Sequence, residues 1–167
     1  FNPNEKTKID FELATSFNDI NLYSSLDDDN NQGFAGSLDG KQRLYTTVKW
    51  LLDANLDWQW TQQDFRTIER LFTIEFNRDW NLTGVQTGDQ QFVQTGLDWR
   101  FTNGSFTRYQ FEKLDFSNTF SGNRHRIDGL WKIKNILIQN QGSLMSSDAT
   151  TQRTQFLRNQ SQAKYHF

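Results

Sequence analysis

The residues best placed to do chemistry lie in an acidic stretch, Asp27 to Asp39. Asp28, Asn30, Gln32, Gly33 and Asp39 fall at the first, third, fifth, sixth and last positions of a calcium-binding loop. Oxygen ligands at alternate positions can wrap a hard cation, and Gly33 supplies the sharp turn. The flanks do not read as two helices, however, and the last position is Asp39 rather than a glutamate. A solvated, Asx-rich turn is the simpler reading, so calcium stands as a candidate ligand of Asp28, Asn30, Gln32 and Asp39 and no other cofactor is expected.

Other constellations are weaker. The histidines, His125 and His166, are far apart, and no Gly-x-Ser-x-Gly elbow prepares a nucleophile. With no cysteine, thiolate metal sites and cysteine nucleophiles are excluded. Asp53 and Asp57 would share one strand face, as a glycosidase pair could, but any polar sheet face carries such residues. Arg124, His125, Arg126, Lys132 and Lys134 form a modest basic cluster that balances acidic neighbours or meets phosphate groups at a membrane rim. No catalytic residues are assigned, and the expected class is non-enzymatic.

Composition bounds the partners. A formal charge of −2 and a pI near 5.7 give no electrostatic reason to expect nucleic acid. Aromatics make up 15 % of the chain, yet hydrophobics total only 35 % and mean hydropathy is −0.81. A soluble domain with so few aliphatics struggles to offset its chain entropy. A transmembrane barrel resolves the conflict, because only one face of each strand must be apolar. No apolar run approaches the ~20 residues of a membrane helix.

The elements that position these residues read as strands. From Leu44 to Trp60 every even position is apolar, Thr or Ala, a period-2 pattern that predicts one β-strand over 42–61. Its length exceeds the ~9–11 residues needed to cross the hydrocarbon of a membrane, so it projects beyond the bilayer or bends near Asp53 to Asn55. Further strands are predicted around Ile9 to Leu13, Leu71 to Leu82, Val93 to Phe101, Phe106 to Phe120, Ile127 to Ile138 and Ala163 to Phe167. Asn103-Gly104 is a strong hairpin signal. A phase slip between Phe111 and Leu114 reads as a bulge. Arg78 interrupts the apolar face of its strand.

The expectation is all-β: about seven or eight strands in an antiparallel up-and-down meander over residues 1–167, an outer-membrane β-barrel or a segment of one, with a polar loop at 26–40. Trp50, Trp58, Trp60, Trp80, Trp99 and Trp131 would face lipid as an interfacial girdle. The alternative is a soluble β-sandwich that binds glycans or protein partners through exposed aromatics.

A final strand ending in alternating Ala163, Tyr165 and Phe167 resembles the terminal insertion signal of bacterial outer-membrane barrels. The stretches Glu75 to Asn81 and Phe120 to His125, with Asn/Gln/Asp-rich turns, resemble large outer-membrane β proteins of the Bacteroidota. The resemblance implies the C-terminal part of such an envelope protein in the cell outer membrane. Its partners would be lipid, other envelope proteins and the remainder of its own chain, with a structural, transport or secretion-associated role.

Overall fold

Period-2 patterning produces strands along most of the described residues. The computed structural model describes residues 1–19, 31–67, 74–82, 86–117, 119–150 and 152–165. Eight strands follow in order: β1 (Thr7–Phe17), β2 (Gln32–Thr46), β3 (Trp50–Thr61), β4 (Gln90–Phe101), β5 (Phe106–Phe116), β6 (Phe120–Ile133), β7 (Ile136–Ala149) and β8 (Arg153–Tyr165). One short helix, α1 (Ile74–Asp79), lies in the β3–β4 connection. Each strand pairs antiparallel with its sequence neighbours, so the sheet is a pure meander with β1 and β8 as its edges. It is not closed.

The single long strand expected over 42–61 is instead two strands joined by a hairpin. Thr47 and Trp50 form its closing pair: Thr47 N–H donates to the Trp50 carbonyl (2.8 Å), and Trp50 N–H donates to Thr47 Oγ1 (3.0 Å). Such a hairpin places the closing pair on one face, which reverses the odd–even phase. A bulge between Arg43 and Tyr45 reverses it again. The two changes cancel only above the bulge, where Leu38 and Gly40 share a face with Trp58 and Leu56; between bulge and turn Thr46 lies opposite Leu51, on the other face from Trp50 and Leu52. No bend occurs at Asp53 to Asn55, where β3 pairs without interruption.

The strand expected over Leu71 to Leu82 is also overturned. Residues 74–79 are helical, and Trp80 N–H donates to the Phe76 carbonyl (3.0 Å). Apolar residues four apart share a face in both a strand and a helix, so Phe76 and Trp80 satisfied either period. Asn81, at φ 52°, ends the helix in the left-handed conformation. Arg78 lies on the exposed helix surface and pairs with Glu75 one turn earlier, which removes the anomaly of a charge on an apolar strand face.

The slip near Phe111 is not a bulge, because β5 keeps one register with both neighbours. Tyr109 and Phe111 lie on one sheet face, and Leu114 and Phe116 on the other. The loop expected over 26–40 gives way to β2 from Gln32 onward. Asn103-Gly104 does turn the β4–β5 hairpin, with Gly104 at φ 80°.

The buried core is small: Trp80, Phe92, Leu114, Phe120 and Met145, flanked by Phe76, Leu82, Phe116 and Ala149. It sits on one face, at the end of the sheet opposite the β2–β3, β4–β5 and β6–β7 turns.

Candidate functional site: an apolar outer belt and a capped inner face

Registers divide the side chains into an outer and an inner face. Outer positions include Phe11, Leu13, Leu38, Leu56, Trp58, Leu97, Trp99, Tyr109, Ile127 and Tyr165. Most of these large apolar groups are exposed, Phe11 at 66 % and Leu97 at 43 %. A contiguous exposed surface of this kind marks contact with another apolar phase or partner.

The belt does not follow the hydrogen-bonded rows. Its upper limit steps from Phe17 on β1 through Phe34, Trp60, Val93, Phe111 and Ile127 to Ile138 and Ala163 on β7 and β8. Beyond that limit only Leu144 and Leu157, which face each other, are large and apolar. The midline drifts by about ten to twelve residues over the seven strand-to-strand steps, ~34–41 Å along the strands against ~34 Å across them. The belt is therefore level when the strands lean about 45–50°, close to the ~35–45° tilt of transmembrane barrel strands.

Five of the six tryptophans expected in a girdle occupy this face. Trp50, Trp99 and Phe101 cluster at the turn end, with ring centroids 5.7 Å apart for the first pair and 5.0 Å for the second. Trp58 and Trp60 mark the other border on β3, and the Trp131 indole donates to Thr107 Oγ1 (3.0 Å). Trp80 is the correction. It is fully buried on the inner face and meets no outer surface, because the segment carrying it is helical and folds inward.

That inward fold caps one end of the inner face. After β3, Gln62 N–H donates to the Phe34 carbonyl (2.9 Å) and Arg66 N–H to Ser16 Oγ (2.9 Å), so the chain crosses β2 and β1. Gly33 permits this approach, since a Cβ there would lie 2.2 Å from the Phe65 backbone nitrogen. Farther along, Trp80 packs edge-on against Phe92 and Phe120, and Asn81 reaches Thr154 on β8. Gly122 leaves the room that the Trp80 ring fills.

The cap is held by a buried ion pair. Glu112 lies beneath it and accepts from Arg124 Nε (2.6 Å), with Arg126 at 3.6 Å. The Arg124 guanidinium sits 4.8 Å from the Trp80 ring centre and 3.7 Å from Asp79. A cation above an indole face gains about 0.5–2 kcal/mol, more when water is excluded.

Below the cap, toward the hairpin turns, the inner face is polar. Arg43, Asp53, Asp98 and Arg108 are successive partners across β2, β3, β4 and β5. Two like charges, Asp53 and Asp98, stand directly opposite each other, and arginines compensate them. Asp53 takes Arg43 (2.8 Å) and Arg100, while Asp98 takes Arg100 and Arg108 (3.4 Å each). This ladder borders a cavity of about 650 Å³.

The remaining sequence candidates are dispersed. Gln32 and Asp39 lie seven residues apart on opposite faces of β2 and do not share an ion. Asp28 and Asn30 are outside the described residues, among which no group of three acidic or histidine side chains could hold a metal. Asp57 bonds Gln59 (3.2 Å) and faces Asp39 across the strands, apart from the Asp53 ladder. His125 is on the outer face, 2.8 Å from Tyr109 Oη, whereas Arg124 and Arg126 face inward, so the basic cluster is split between two surfaces. Tyr165 ends β8 on the outer face, and Phe167 lies outside the described residues. Glu112 escaped sequence reasoning; the signal was the transfer of apolar residues to the inner face at Leu114, Phe116 and Phe120.

No family model, curated protein or solved structure matches the chain. Among the described residues no helix is long and apolar enough to cross a membrane, which says nothing of strands.

Proposed function

We propose that this chain is a non-enzymatic component of an outer-membrane β-barrel, with its outer face against lipid and its inner face lining the lumen. The observation that carries the proposal is the oblique apolar belt. A soluble sheet has no reason to move its apolar positions steadily across the rows, whereas strands leaning in a bilayer must do so to keep the belt level. The tryptophans at both borders suit the membrane interfaces, where an amphipathic ring is at home. The two long connections, β1–β2 and β3–β4, leave the end of the sheet opposite the β2–β3, β4–β5 and β6–β7 turns, as in barrels with short turns at one end and longer loops at the other.

Of a structural, a transport and a secretion-associated role, the first is favoured. Described parts of the β3–β4 connection lie over the inner face at β1 and at β8, an arrangement that suits a structural role better than an open pore. The edges of β1 and β8 would pair with further strands of this chain or of other envelope proteins.

Refolding separates this from a soluble sheet. The chain is expected to require detergent or lipid for solubility and to migrate differently on a gel before and after boiling. A monodisperse, fully folded monomer in detergent-free buffer overturns the proposal.

A further inference from the structure

We infer that the inner-face cavity at the turn end is a binding site for a small, water-soluble oligoanion of the phosphate type. The cavity, about 650 Å³, falls within the ~300–1,000 Å³ range of ligand sites. Six lysines and arginines line it against three acids, and Ala54 is its one apolar lining residue. The chain as a whole carries a net charge of −2, so this concentration of positive charge is local. It excludes apolar ligands and attracts anions.

The arginines are held for the purpose of presenting donors. Asp53 and Asp98 fix Arg43, Arg100 and Arg108 at successive strand positions, two carboxylates shared among three guanidiniums. Arg108 makes its ion pair through one terminal nitrogen, which leaves most of its five N–H donors available. All three side chains are close to half exposed, so their free edges reach the cavity. Lys41 and Lys6 border the same space and form no ion pair with the described residues. A planar fork beside flexible ammonium groups suits phosphoryl oxygens, which accept two parallel N–H bonds. The cavity lies on the face away from the apolar belt, so its ligand arrives from water and not from a lipid headgroup.

The site does not require the membrane reading, and its test is separate. Full-length protein, folded in detergent or buffer as it demands, is titrated calorimetrically with inorganic pyrophosphate at low salt. Saturable binding is expected, weakening several-fold when salt is raised. Lys41→Gln should reduce affinity about 3-fold or more without touching the ladder, and Arg108→Gln about 10-fold, while Arg153→Gln on the outer face changes nothing. Vesicles bearing phosphorylated glycolipid should not compete with pyrophosphate; competition would move the site to a lipid headgroup and overturn the assignment. Absence of binding at millimolar pyrophosphate overturns it, as does equal binding by the wild type and Lys41→Gln.

Discussion

Replacing Leu97 by arginine tests whether the outer belt meets lipid, and how the strands lean within it. Leu97 is at the middle of the belt on β4, 43 % exposed, between Ala54 and Tyr109 with no carboxylate among its cross-strand partners. At a bilayer midplane the substitution costs about 2–4 kcal/mol; on a watered surface it stays within about 0.5 kcal/mol. Asn159 is the internal control. It occupies the same hydrogen-bonded row, reached through Tyr109, Ile127 and Gly142. Four strand steps separate them, ~19 Å along the row. At a lean near 45° that becomes a vertical offset of ~14 Å, about half the hydrocarbon thickness. Asn159→Arg should therefore cost no more than about 1 kcal/mol. Urea titrations of protein refolded into phospholipid vesicles give both values. Equal penalties at the two sites would refute the tilt, and two negligible penalties would refute the lipid contact.

Three further substitutions probe the cap. Trp80→Ala should cost about 3–5 kcal/mol, the range for truncating a buried large aromatic, read as a fall in denaturation midpoint; a loss below about 1 kcal/mol would show that the cap does not seat as described. Glu112→Gln removes the carboxylate shared by Arg124 and Arg126, and leaving the buried Arg124 with only Asp79 at 3.7 Å should cost about 3 kcal/mol, partly recovered in Glu112→Leu/Arg124→Leu; a double-mutant cycle showing no coupling refutes the ion-pair anchor. Gly33→Ala should push the Asp64–Phe65 backbone off β2, seen as faster proteolysis between β3 and β4, while Gly40→Ala, whose Cβ would meet the nearest atom at 3.8 Å, should not.

The meander was legible because period-2 alternation survives wherever one face is apolar, as along Val93 to Phe101 and Phe106 to Phe111. The same signal misled between Leu44 and Trp60, where a hairpin shifts the phase by one residue and the even positions before and after the turn lie on opposite faces. It misled again at Phe76 and Trp80, since a spacing of four fits both a strand and a helix. A shared sheet face was legible for five tryptophans and missed for Trp80, whose place depends on the direction in which a long connection folds. Nothing local encodes that direction. The cation ladder was invisible for another reason: Arg43, Asp53, Asp98 and Arg108 belong to four strands, and only registers bring them into one row.

The cap also carries information about the order of folding. Its contacts join residues far apart in sequence: Arg66 to Ser16, Trp80 to the core that includes Met145, Asn81 to Thr154. Hairpins close within microseconds, but contacts of such separation must wait for the intervening chain. The connection between β3 and β4 is made early and docked late, after β7 and β8 have joined the sheet. Until then Trp80 stays in water. Trp80 should be the last of the six indoles to change its fluorescence, a clock for the docking of the cap.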